Sequence, residues 1–253
     1  KAENPSYADR TTQATIEITP RKITITVDDT TKIFGQDDPG FTGSITYGSL
    51  VNDNDLGTIT YSRTNTDEAV GTYEDVLTAS YKENTNYDVT VVNGDFTITT
   101  ASTEGAAVTA SGGKWTYNGQ AHIVTASLNE QAAGYTIYYK VGDGEWTTIV
   151  PSVTNVEDGI LTVSVKAVRD GYADLTCDDV TIQITPATLT VTTPSASKVY
   201  DGTPLTSTEG SVSGLVSGET VTLTVTGSQT EIGESNNGYD LVWDDSASES
   251  NYT

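Results

Sequence analysis

Methionine is absent from the 253 residues, phenylalanine occurs three times, and there is one cysteine, Cys177, and one histidine, His122. A single cysteine cannot close a disulfide within the chain, and neither CxxC pairs nor the Cys/His spacings of a zinc site exist. Triad, dyad and zinc mechanisms lean on histidine or reactive cysteine, so the chain is expected not to be an enzyme. His122 follows a turn glycine in a polar context and reads as a surface residue. Cys177 lies in Leu175-Thr176-Cys177-Asp178-Asp179, where acidic neighbours should raise its pKa and blunt it. With 35 acids, chance carboxylate pairs are expected, so pairing carries no signal for glycoside hydrolysis.

Basic residues are scarce as well: 12 against 35 acids leave a formal charge of −23. Such a chain repels phosphate, which disfavours nucleic acid and anionic membranes as partners. No run approaches the roughly 20 apolar residues of a membrane span, and no signal peptide is visible, so membrane insertion is not expected. Lacking an initial methionine, the chain is expected to be an internal piece or a processed product. Helix-building runs of Leu, Glu, Lys and Ala are missing, whereas Thr, Ser, Val, Tyr, Gly and Asp abound, which predicts an all-β fold.

What is present repeats. Lys198-Val199-Tyr200-Asp201-Gly202-Thr203 has near-copies at Trp115-Thr116-Tyr117-Asn118-Gly119-Gln120 and Lys32-Ile33-Phe34-Gly35-Gln36-Asp37. Each predicts a strand end that plants one ring in a core and then turns on a glycine at positive φ. The period of about 80 residues implies three modules, at 21–100, 101–186 and 187–253. Residues 1–20 match 166–186, so they are expected to be the last strands of a preceding copy of the second module.

In the first module Ile23, Ile25 and Val27 alternate with threonines, as a half-buried strand requires. Asp37-Asp38-Pro39-Gly40 is a turn. Residues 89–98 read as a hairpin with Asn93-Gly94 at its tip. In the second, Tyr135 to Trp146 reads as a hairpin with a glycine-rich turn. The third, aligned by Asn251-Tyr252 on Asn86-Tyr87, lacks a counterpart of the 89–98 segment and should expose an edge. The fold expected is a tandem array of three small antiparallel β modules. The second is an Ig-like sandwich, and the others are sandwiches or β-grasp-like sheets with a helical turn near 50–55 and 215–220. The junctions Ile18-Thr19-Pro20-Arg21 and Ile184-Thr185-Pro186-Ala187 leave almost no spare chain, which favours a stiff rod on the order of 90 Å long; the chain is expected to be a monomer.

With Lys198 to Thr203, Gly214-Leu215-Val216-Ser217-Gly218-Glu219 and Asn251-Tyr252, the third module resembles the YDG domain of bacterial surface proteins. The first, with Phe34-Gly35-Gln36, Leu50 to Asp55, Val70-Gly71-Thr72-Tyr73 and Asn86-Tyr87, resembles its relative the MBG domain, with Phe34 where tyrosine is usual. The second, with Tyr117 to His122 and Gly171-Tyr172, resembles the Ig-like repeats of the same arrays. The resemblance implies the stalk of a secreted, cell-wall-attached adhesin-like protein of a Gram-positive bacterium, and no catalytic residues. Its partners would be host glycan, mucin or matrix protein, bound elsewhere in the parent protein or by these modules. Accessory domains of a secreted carbohydrate-active enzyme are the more distant alternative.

Three chemistries merit a site. Asp53 and Asp55, with Asp37 and Asp38 in the same module, offer oxygens to calcium, against the plain reading of solvated turns. Trp146, after a hairpin tip, is the candidate platform for a sugar. Lys22 with Asn86 or Asn93 can be written as an internal covalent crosslink, although no buried acid to shield it is identifiable.

Overall fold

The computed structural model of the chain describes residues 13–253. They form two compact units, divided after Ala101. Of the strands expected at 1–20, residues 1–12 lie outside the described residues, and 13–20 are exposed and form no strand.

The first unit has seven strands: β1 (Arg21–Val27), β2 (Thr30–Ile33), β3 (Gly43–Tyr47), β4 (Thr60–Arg63), β5 (Gly71–Ser80), β6 (Tyr87–Val92) and β7 (Gly94–Thr99). They make a three-stranded sheet, β3-β1-β6, and a four-stranded sheet, β2-β7-β5-β4. The threonine alternation works as expected: Ile23, Ile25 and Val27 are buried on one face of β1. Ile23 and Ile25 pack with Leu56 and Tyr87, Val27 packs with Leu77, Phe96 and Ile98, and Tyr61 and Ala79 touch both clusters.

The 89–98 hairpin is not formed. β6 pairs parallel with β1, and β7 pairs parallel with β2 and antiparallel with β5, so Asn93 links strands of different sheets. The β1–β2 and β6–β7 connections pass between the sheets side by side, held where the Asp95 amide donates to Asp29 Oδ1 at 2.8 Å. The reason is burial: Phe96 and Ile98 need the second core, and a tight turn at Asn93 would fold β7 back onto β6 and away from it. The sheets are thus antiparallel with parallel seams, which recur in the second unit where residues 182–185 pair with 113–116.

The second unit begins with β8 (Val108–Ser111), β9 (Gly113–Thr116), β10 (His122–Ile123), β11 (Thr125–Leu128), β12 (Thr136–Val141), β13 (Ser152–Val153), β14 (Ile160–Val168), β15 (Leu175–Thr176) and β16 (Val180–Thr185). The sheet β12-β14-β16-β9, with β15 on β14, faces the pairs β11-β8 and β10-β13. The Tyr135 to Trp146 hairpin closes by one bridge, Tyr139 to Thr147. There follow β17 (Thr190–Thr192), β18 (Leu205–Thr206), β19 (Ser211–Ser213), β20 (Val221–Val225), β21 (Ser228–Gln229) and β22 (Tyr239–Trp243), paired two by two. Among the described residues β17 pairs with β19 alone, whereas β1 has neighbours on both sides. The helical turns expected near 50–55 and 215–220 are hydrogen-bonded turns; short 3-10 turns stand instead at 130–132, 156–158 and 249–251. One buried cluster runs through the second unit, from Val108 to Ala187 and Tyr252, with Leu189, Leu215, Val216 and Trp243 packed on it.

Candidate functional site

The Asn-Tyr pairs that align the outer modules turn out to be structural anchors. Tyr87 is buried; its hydroxyl accepts from the Val51 amide at 2.8 Å and donates to Asp55 Oδ2. Tyr252 repeats this, accepting from the Val216 amide at 2.9 Å and donating to Glu219 Oε2. The matching is detailed. The Arg21 amide donates to Asn86 O, and Ala187 to Asn251 O, each at 2.9 Å. Before each acidic turn stands a glycine at positive φ, Gly48 at +79° and Gly214 at +98°. A Cβ there would lie 2.4 Å from Lys22 O and 2.2 Å from Thr188 O, so only glycine fits both the conformation and the space.

In the second unit the device also takes hold of the neighbouring module. The Tyr117 hydroxyl donates to Glu219 Oε1, so one carboxylate receives a tyrosine on each oxygen. The Tyr117 and Tyr252 rings meet edge to face at 5.5 Å, and Trp243 stacks on Tyr252 at 5.4 Å. Asn251, 1% exposed, accepts from the Val156 amide at 2.9 Å and donates to Asn155 Oδ1 at 3.0 Å. Val216 lies against Gly119. Burial, and then Glu219, push the Tyr117 hydroxyl up to about 12, and the same two causes raise Tyr252. In the first unit the Tyr87 hydrogen bond leads in holding the Asp55 carboxyl below its ordinary range.

The repeated ring motif is used unevenly. Tyr117 is buried and Phe34 half-buried, but Tyr200 is 57% exposed. In that loop Asp201 Oδ1 accepts from Lys198 Nζ, the Thr203 amide and the Thr203 hydroxyl at 2.8–2.9 Å. Lys198 leads the causes that hold the Asp201 carboxyl down at about 2. The glycines behave as expected, with Gly35, Gly119 and Gly202 at φ +79°, +73° and +76°.

The calcium candidates are not gathered: among the described residues no three His, Cys, Asp or Glu side chains cluster to hold a metal. Asp55 is engaged by Tyr87 and by the Asn52 amide, and Asp38 pairs with Lys32 and Arg63, while Asp53 is an exposed turn residue and Asp37 is exposed in a stretch where the turn expected at 37–40 is not formed, the chain turning earlier at Phe34-Gly35. Trp146 is 37% exposed, but the Lys140 and Lys166 ammonium groups stand over its ring at 5.4 and 4.9 Å, where a stacking sugar would displace them. His122 stacks on Trp115 and contacts Asn118 Oδ1 at 3.2 Å. The Cys177 thiol is raised, first by burial and then by Asp178 and Asp179. Lys22 is exposed opposite Asp88, Asn86 is exposed, and Asn93 donates to Asp75 O.

Sequence reasoning missed the buried lysine, Lys32. It bonds Asp38 at 2.7 Å and Glu68, while Arg63 reaches the same two acids, and both cations lie over Phe96. It also missed the acceptor role of Asp55 and Glu219, whose one signal was an acid 32 or 33 residues ahead of the tyrosine of an Asn-Tyr pair.

Fold and joint together define a tandem β-module repeat region. Residues 23–97 match the family model of the MBG domain of the YGX type, and residues 185–253 match that of the YDG domain. The two matched segments flank a further β module. No curated protein matches the chain. One similar solved structure, Yersinia pseudotuberculosis InvD, covers 88% of this chain and 82% of that chain at 14% identity, with a TM-score of 0.22, too low to equate the folds.

Proposed function

We propose that this region is a structural, adhesin-type stalk of a bacterial cell-surface protein, without catalytic activity of its own. The observation that carries the reading is the joint. The second and third modules share a core, with Tyr117, Glu219 and Tyr252 bonded across it and Pro186 the sole spacer between Thr185 and Ala187. A joint with no slack and a hydrogen-bonded interior transmits orientation from one module to the next, which is what a spacer must do. The match to MBG and YDG domains supports a surface repeat region, and the charge of −23 keeps such an array soluble and self-repelling. The Gram-positive wall and the host-facing ligand belong to the same proposal and rest on the family resemblance. The test is a glycan and mucin array probed with the full chain, with calcium and with chelator. The stalk reading expects no saturable binding under either condition; saturable binding lost on Trp146→Ala would overturn it.

A further inference from the structure

The outer modules carry the same three-point device, but it is occupied in only one of them. In the third, Val216 is half-buried against Gly119, Glu219 receives two tyrosines, and Asn251 is buried against the Asn155-Val156 turn. In the first, the equivalent Val51 is 69% exposed and Asn86 is exposed. Asp55 receives Tyr87 on Oδ2, while Oδ1 has Asn52 Nδ2 at a long 3.3 Å. Asp55 is one methylene shorter than Glu219, and its turn is one residue longer: it stands four places after Val51, Glu219 three places after Val216. The longer turn offsets the shorter side chain.

The chain leading into this face carries the same signature. Thr15-Ile16-Glu17-Ile18-Thr19-Pro20 reads like Thr181-Ile182-Gln183-Ile184-Thr185-Pro186. Ile182 and Ile184 are 0% and 1% exposed in the sheet of the second module, whereas Ile16 and Ile18 are 97% and 94% exposed. Two isoleucines alternating on one face of a six-residue segment have the pattern of a buried strand edge.

We propose that Val51, Asp55 and Asn86 form a docking surface for another copy of the module at 102–186. It is held as the third module holds its neighbour, with a tyrosine equivalent to Tyr117 donating to Asp55 Oδ1. Ile16 and Ile18 supply that copy's last strand, in the place of Ile182 and Ile184. The inference stands on the geometry of the joint and is independent of surface location or ligand binding.

The test fuses residues 102–179 ahead of Ala14 in the full chain, so that the native 14–20 segment completes the added copy. Hydrogen exchange is read on three stretches that stay unique in sequence. Expected are strong protection at 14–20 and a rise of at least about tenfold at 48–57 and 84–88 relative to the parent chain. Val51→Glu, at a site exposed in the parent, should return the last two stretches to parent values and leave 14–20 protected. Protection at 14–20 without change at 48–57 and 84–88 would overturn the docking surface. Absence of protection at 14–20 would overturn the choice of occupant.

Discussion

Tyr117→Phe isolates the bond on which the joint depends, because it keeps the buried ring and removes one hydroxyl. That hydroxyl donates to Glu219 Oε1, and a hydrogen bond to a charged group contributes about 1.5–3 kcal/mol. Glu219 is half-buried and keeps Tyr252, so it is not orphaned, and the expected loss is about 1–2 kcal/mol. For a unit of about 150 residues this lowers the thermal midpoint by about 2–8 °C. The assay is thermal and urea unfolding of the full chain, with Tyr200→Phe as the control. Tyr200 is 57% exposed and its loss should stay within about 0.5 kcal/mol. A cycle with Glu219→Gln should show coupling above about 0.5 kcal/mol. If Tyr117→Phe behaves like Tyr200→Phe and shows no coupling to Glu219, the Tyr117–Glu219 bond does not stabilise the joint.

The same hydroxyls set an alkaline limit. Tyr117 is raised from 10.0 to about 12, and Tyr252, Tyr135 and Tyr139 are raised too. Their contribution is therefore complete below pH 10 and drains away as pH climbs towards 12, which unfolding midpoints of the second unit would show. In the first unit Glu68 is lowered, with the Lys32 bond first among the causes, and Asp55 is lowered by Tyr87. Stability there should be full above the ordinary carboxylate range and fall as pH drops through it, as an acid titration by circular dichroism would reveal. Phe96→Ala, fully buried beneath Lys32 and Arg63, should cost about 3–5 kcal/mol in urea unfolding of the first unit. Gly48→Ala should cost about 1–3 kcal/mol in the same assay, because its φ is +79° and Lys22 O blocks the added Cβ. Millimolar calcium should leave the first unit's melting midpoint where chelator leaves it, since Tyr87, Lys32 and Arg63 already engage Asp55 and Asp38.

Much of the architecture was legible because it rests on local rules. Alternation gave the buried face of β1, and the repeated glycines marked positive-φ turns. The Asn-Tyr pairs aligned the outer modules in the register the structure uses. What was hidden depends on contacts distant in sequence. Asn93-Gly94 has the composition of a hairpin tip, yet the burial of Phe96 and Ile98 in another sheet decides the pairing. Lys32 sits in a polar, threonine-rich stretch like an exposed lysine, and only Asp38, Glu68 and Arg63, brought together by folding, make its burial tolerable. Asp55 looked like a cation ligand because Asn52 to Asp55 are rich in oxygen. Its partner, Tyr87, lies 32 residues further on, and no local pattern announces it. Tyr200 shows the converse: the motif that plants Tyr117 in a core leaves its third copy in solvent.

If the Tyr117–Glu219–Tyr252 joint locks the second and third modules into one rigid piece, ¹⁵N relaxation on the chain will read it. Amides of 102–186 and 187–253 should share one rotational correlation time, and Tyr117→Phe combined with Glu219→Ala should separate them. Two distinct, shorter correlation times in the unaltered chain would contradict it.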